Sequence, residues 1–162
     1  MSGVCDTIEE FVAITGAVSG LMGLDFGTKT IGVAISDRLQ TVATPRETIK
    51  RKKFGVDAAK LLELTTHRLV TGIVLGLPRN MDGSEGPRAQ ATRAFARNLE
   101  KLTPLPITFW DERLSTVAAE RAMLEADLSR KRRAELIDHV AASFILQGLL
   151  DRLAHLRNAQ ND

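Results

Sequence analysis

The 162 residues, of which 44% are hydrophobic, are enough for one domain with a buried core. Charged residues make up 26% of the chain, yet the net charge is only +2, so charge alone does not indicate a nucleic-acid partner. The single cysteine, Cys5, excludes an internal disulfide and a cysteine-based zinc site. No stretch approaches the ~20 apolar residues of a membrane span, and no basic leader is present, so a cytoplasmic protein without a membrane partner is predicted.

The chain is expected to divide into an N-terminal appendage (1–19), one domain (20–157) and a short tail (158–162). A short helix over 7–15, with Thr7 as its N-cap, is predicted in the appendage. No chemistry is assigned to this helix or to the tail.

The first half of the domain reads as three consecutive strands. Apolar segments at 21–26 and 31–35 flank a glycine-rich turn at 27–30, which predicts a β-hairpin. The third strand is expected over 41–49, where Pro45 marks a bulge or an edge position.

Two strand-and-helix units are predicted next. One-sided apolar spacing predicts a helix over 54–68, and the apolar run at 69–77 is typical of a central parallel strand buried on both faces. Pro87 can open the next helix, and a fifth strand is expected over 105–110.

The C-terminal third is predicted to be helical. A helix over 115–126 is followed by a basic linker at 127–133 and by a long helix over 134–156. Three hairpin-type strands followed by two strand-and-helix units predict an α/β fold, a mixed five-stranded sheet with helices on both faces.

Carboxylates occupy three separated positions in this pattern. Asp25 lies within the first strand, where a buried carboxylate needs a partner or a cation, although it could instead fix its own turn. Asp111 or Glu112 follows the fifth strand, and adjacent residues there point to opposite sides. Asp138 shares a helix face with the small residues that follow it, although it could also reach solvent as a boundary acid.

Three converging carboxylates would repel one another unless divalent cations neutralise them. Oxygen-only ligands suit Mg²⁺ or Mn²⁺, and two such ions are a known solution for in-line attack on a phosphodiester. No Ser-His-Asp arrangement competes, because His67, His139 and His155 read as surface or core-edge residues. The residues thus predict nucleic-acid cleavage.

Four motifs occur in order. They are Gly23-Leu-Asp-Phe-Gly-Thr-Lys-Thr-Ile-Gly-Val-Ala34, Gly76-Leu-Pro-Arg-Asn-Met-Asp-Gly-Ser84, Trp110-Asp-Glu-Arg-Leu-Ser-Thr116 and Ile137-Asp-His-Val-Ala-Ala142. Together they resemble the YqgF family, whose bacterial members are also called RuvX. The resemblance implies an RNase H-like fold and a nuclease that matures the 5′ end of the precursor of small-subunit ribosomal RNA. It also implies a likeness to the Holliday junction resolvase RuvC.

The resemblance places the family's catalytic and metal-binding acids on Asp25, Glu112 and Asp138, with Asp111 as a neighbour that could join the site. Precursor ribosomal RNA or branched DNA would be the partner, with the ribosomal particle as a further candidate, and the protein would be a monomer or a homodimer. The residues expected to contact nucleic acid are Lys29, Arg79, Arg113, Lys131 and Arg132.

Three alternatives remain open at this point. The nuclease could resolve branched DNA rather than process RNA. The segment from Asp25 to Thr30 also resembles the first phosphate-binding turn of actin-like and sugar-kinase ATPases, although those proteins need two such domains. A third alternative is a nucleic-acid-binding protein without catalysis, in which the acids serve only metal-supported stability.

Overall fold

The computed structural model describes the backbone of residues 3–114 and 130–161, and the side chains of 3–114 and 139–159. The helix predicted over 115–126 lies outside the described residues. Residues 127–129 of the predicted linker lie outside them as well, and the other predicted helices and strands fall within them.

The five strands form one mixed sheet in the order β3-β2-β1-β4-β5. The first three strands pair antiparallel, whereas β1 with β4 and β4 with β5 pair parallel. A register shift in the β2–β3 ladder leaves Arg46 without a partner, which confirms the bulge predicted at Pro45. The strands are β1 (Gly20–Phe26), β2 (Thr30–Ser36), β3 (Ala43–Lys50), β4 (Val70–Leu77) and β5 (Ile107–Asp111).

Helices cover both faces of the sheet, as predicted. The core on one face includes buried side chains of α2 and α3, and the core on the other includes buried side chains of α1 and α4. The helices are α1 (Ile8–Thr15), α2 (Phe54–His67), α3 (Pro87–Glu100) and α4 (Arg130–Asn161). Helix α4 corrects one prediction, because residues 130–133 belong to it rather than to a linker.

The N-terminal residues pack against the rest of the molecule. Phe11 in α1 is fully buried within the α4-side core. A short parallel bridge joins Val4 to Ile107 of β5. The side chain of Thr7 accepts a hydrogen bond from the Glu10 backbone amide at 3.1 Å, which is the predicted N-cap.

None of the helices within 3–114 and 130–161 is both long enough and apolar enough to cross a lipid bilayer.

Candidate active site

Asp25 lies in a row of residues that crosses the sheet. It pairs with Gly32 of β2, which in turn pairs with Thr48 of β3. The β1–β4 register ends at Leu24 opposite Leu75, so one further step sets Asp25 beside Gly76. Directly paired residues point to the same face, and two positions in this row carry no side chain. Gly32 and Gly76 therefore place no side chain of their own beside the Asp25 carboxylate, which is only 2% exposed.

The face that carries Asp25 is the one covered by α4. A Cβ atom built at Gly23, two residues earlier on the same strand, would lie 2.9 Å from the backbone oxygen of Ala142 in α4. Side chains two positions apart on a strand share a face, so Asp25 also points to the α4 side.

Glu112 reaches the same side from β5. It begins a short 3₁₀ turn (Glu112–Leu114) directly after β5 ends, and it is 8% exposed. A Cβ atom built at Gly76 would lie 2.8 Å from Glu112 Oε1 and 2.4 Å from Ile145 Cδ1. The Glu112 carboxylate thus lies against Gly76, the residue beside Asp25, and glycine is what allows that approach.

Asp111 takes part in a different network. Its carboxylate accepts a hydrogen bond from Arg113 Nη2 at 2.7 Å, and Arg79 Nη1 lies 3.9 Å away. The Arg113 hydrogen bond is the largest cause that holds the pKa of Asp111 below its usual value. Side chains alternate along β5: Trp110 packs into the α4-side core, whereas Phe109 packs against the opposite one. Asp111 therefore follows Phe109, away from Asp25, and Glu112 is the acid on the Asp25 side.

Helix α4 lies over the row that contains Asp25. His139 Nδ1 and Thr48 Oγ1 form a hydrogen bond of 2.8 Å, which fixes this turn of the helix at the level of the row. Asp138 precedes His139 directly in α4 and stands one turn before Ala142 in the helical repeat. Its side chain lies outside the described residues. His139 is half-buried, as expected for a core-edge residue.

Sequence reasoning missed Arg88. Its Nη2 lies 3.8 Å from Asp25 Oδ1 and donates a hydrogen bond of 3.5 Å to the backbone oxygen of Phe26. The Arg88 side chain is 44% exposed, so it lies between the buried acid and solvent. Its position directly after Pro87, at the start of the helix that follows β4, was the available signal.

The structure separates the predicted basic contacts into three groups. Lys29 is exposed on the β1–β2 turn. Arg79 and Arg113 are engaged with carboxylates, since Arg79 Nη2 also lies 3.4 Å from Glu85 Oε2. Lys131 and Arg132 belong to α4, and their side chains lie outside the described residues.

The donor set on the α4 side of the sheet fits a hard divalent cation. Asp25 and Glu112 offer oxygen ligands only, which suits Mg²⁺ or Mn²⁺ and lacks the nitrogen and sulfur typical of zinc sites. Within the described side chains, no three Asp, Glu, His or Cys residues form a metal-binding group. The third predicted ligand, Asp138, lies outside that set.

Comparisons with known proteins agree with these observations. A relative from Rhodobacter capsulatus is 71% identical over 96% of this chain and 98% of its own length, and one from Ruegeria pomeroyi is 69% identical over 94% and 99%. Both carry the name "Putative pre-16S rRNA nuclease".

The structure of Thermus thermophilus RuvC in complex with a Holliday junction substrate matches 84% of this chain and 96% of its own chain, with a TM-score of 0.53 and 14% identity. At that identity the match shows the fold alone, and it confirms the predicted RNase H-like architecture. The family model described as "RuvX: Holliday junction resolvase" matches residues 19–152. The chain therefore belongs to the RuvX family, which its four motifs predicted.

Proposed function

We propose that this chain is a metal-dependent endonuclease that hydrolyses phosphodiester bonds in maturation of the 5′ end of pre-16S ribosomal RNA. One observation carries the proposal: two buried carboxylates face the same side of the sheet, Asp25 from β1 and Glu112 from the turn that directly follows β5, with β4 between them. The substrate is supported by the names of relatives that match nearly the whole chain.

In this proposal, Asp25, Glu112 and Asp138 hold the cations. A bound pair of divalent ions supplies an activated water and neutralises charge on the leaving oxygen. The chain's own part is to hold the carboxylates in fixed positions. Gly76 admits the Glu112 carboxylate to its place, and α4 lies over the row in which Asp25 lies. Arg88 adds positive charge beside Asp25.

Resolution of branched DNA is a second candidate, which two observations favour. The matching family model is described as a Holliday junction resolvase, and the fold matches that of RuvC. The site chemistry is the same for both substrates, because both reactions hydrolyse a phosphodiester. Only the choice of nucleic acid differs between the two.

The nuclease proposal is tested with purified protein and an RNA that spans the 5′ junction of the precursor. We expect cleavage with Mg²⁺ or Mn²⁺ and none in EDTA. Asp25→Asn and Glu112→Gln should each lower the rate by roughly 100-fold or more, because each removes a ligand whose ion stabilises the transition state by several kcal/mol. Glu63→Gln, an exposed acid on α2, is the matched control and should cleave normally.

Several outcomes would contradict the proposal. Undiminished cleavage by Asp25→Asn would show that a contaminant cuts the RNA. Tight ATP binding without cleavage would favour a nucleotide-binding module, and RNA binding without cleavage would favour a non-catalytic factor. Faster cleavage of a four-way DNA junction than of the RNA would transfer the assignment to a resolvase.

A further inference from the structure

Three basic side chains surround the turn that follows Asp25. Arg51 Nη1 donates hydrogen bonds of 2.9 and 3.1 Å to the carbonyl oxygens of the first two turn residues. Arg88 donates a hydrogen bond of 3.5 Å to the carbonyl of Phe26, the residue directly before this turn. Lys29 is part of the turn, and its carbonyl accepts the backbone amide of Arg51. The three residues thus form one continuous patch, here called the turn surface.

The turn surface has donors to offer. The guanidinium of Arg51 lies 4.3 Å from the centre of the Phe26 ring. Its hydrogen bonds to described residues use Nη1 alone out of a fork of five N–H donors. Both Arg51 and Lys29 are exposed. Among the described side chains, the ion pair between Arg88 and Asp25 is the one that involves this patch. Lys29 and Arg51 therefore carry positive charge that no ion pair with a described side chain cancels.

The basic residues near the ends of β4 and β5 differ from the turn surface, because carboxylates already pair with them. There Arg79, Arg93 and Asp111 help to line a polar cavity of about 330 Å³. Arg93 binds Glu85 through two hydrogen bonds of 2.6 and 2.7 Å, and Arg113 binds Asp111. A phosphate would have to displace a carboxylate from each of these pairs, which offsets most of the gain.

We propose that Lys29, Arg51 and Arg88 bind the phosphodiester backbone of the nucleic-acid strand that leads away from Asp25. This proposal rests on the proposed nuclease function. The strand crosses the β1–β2 turn rather than the Arg79 and Arg113 side. Helix α3 begins beside this patch without a side-chain N-cap, so its first backbone N–H groups add to the favourable potential for phosphate. Contact is with backbone phosphates, so both RNA and DNA strands satisfy it.

Binding measured without cleavage tests the turn surface. Fluorescence anisotropy in EDTA follows the full chain with labelled single-stranded RNA and with a four-way DNA junction across a salt series. Two double variants remove equal charge: Lys29→Gln with Arg51→Gln, and Arg79→Gln with Arg113→Gln. The first should weaken RNA binding by about 25-fold at 0.1 M salt and reduce the salt slope by about 1.4, since each phosphate contact contributes about 0.7. The second should change affinity by about threefold or less.

Two single variants separate charge from folding, because Arg51 also holds the turn. Lys29→Gln removes an exposed side chain that forms no hydrogen bond or ion pair with the described side chains, and it should cost about fivefold in RNA affinity. Arg51→Lys keeps the charge and should retain most of the salt slope that Arg51→Gln loses.

A larger loss in the Arg79 and Arg113 variant, or equal losses in both, would overturn the proposal. Weaker binding of RNA alone, or of both RNA and the DNA junction, by the Lys29 and Arg51 double variant supports it. Comparing the two nucleic acids shows which of them the turn surface binds. Because the assay contains no metal, its outcome is independent of catalysis. If the protein binds nucleic acid through the turn surface but never cleaves it, the nuclease proposal is wrong and the binding proposal still holds.

Discussion

Replacing Gly76 with alanine tests whether a missing side chain sets the position of the Glu112 carboxylate. The added Cβ would lie 2.4 Å from Ile145 Cδ1 and 2.8 Å from Glu112 Oε1, both well inside ordinary contact. Ile145 is fully buried and cannot move away freely, so the carboxylate must shift by roughly half an ångström or more. We expect overpacking to cost about 1–3 kcal/mol of unfolding free energy.

The effect on activity should exceed the effect on folding. Displacing a catalytic group by about 1 Å can cost about 100-fold in rate, so we expect a loss of about 10- to 100-fold per folded molecule. Gly72→Ala is the matched control, since it lies on the same strand and the same face. Its added Cβ would lie 2.5 Å from Thr15 and 2.6 Å from Phe11, at a distance from Glu112 along β4. It should lower stability comparably and leave cleavage intact.

The two variants are compared by urea unfolding, which measures stability, and by single-turnover cleavage of the precursor RNA. Both are measured at a temperature where each variant is folded. Mn²⁺ affinity, measured by titration calorimetry, should fall in Gly76→Ala and not in Gly72→Ala. Wild-type cleavage and Mn²⁺ affinity in Gly76→Ala would refute the view that Glu112 acts from its place against Gly76. Equal losses in both variants would assign the effect to packing alone.

Two further predictions concern stability. Phe11→Ala should lower the unfolding free energy by about 3–5 kcal/mol in a urea titration, because Phe11 is fully buried, and a loss below about 1 kcal/mol would contradict a structural role for the N-terminal residues. Arg93→Gln should remove about 0.5–1 kcal/mol at neutral pH. Its hydrogen bonds hold the pKa of Glu85 below the unfolded value, so that stabilisation is present above about pH 4.3 and is lost as the pH falls through the lower, folded pKa. The stability gap between wild type and Arg93→Gln should therefore narrow in acid unfolding curves below about pH 4.3, whereas a gap that stays constant would come from the Arg93 contact with the Phe109 ring.

The elements of the sheet were predictable because their signals are local. The opening hairpin has apolar strands on either side of a turn, and β4 is a continuous apolar run ended by Pro78. The linker predicted at 127–133 is wrong over its four charged residues 130–133, which form the start of α4. That segment contains neither glycine nor proline, so nothing in it interrupts a helix, and charge alone does not end one.

The partners of the acids were not predictable from spacing. Choosing between Asp111 and Glu112 depends on which face of β5 packs under α4, and the sequence does not specify it, because both Phe109 and Trp110 are apolar. Arg88 and Asp25 are distant in sequence, and their approach depends on how α3 sits against β1. Such contacts follow from packing between elements, which no local pattern of residues specifies.

Glycines on the α4-facing side allow close approaches on which the proposed site depends. A strand buried under a helix would normally fill the gap with branched side chains, which would hold the helix at a distance. Here Gly76 leaves room for Glu112, and Gly23 lets α4 approach the backbone of β1. Carboxylates of the right charge would be of no use on a sheet that kept them apart. The proposed site therefore depends on these glycines as well as on the acids, and Gly76 is a position where one added methyl group should separate an effect on folding from an effect on cleavage.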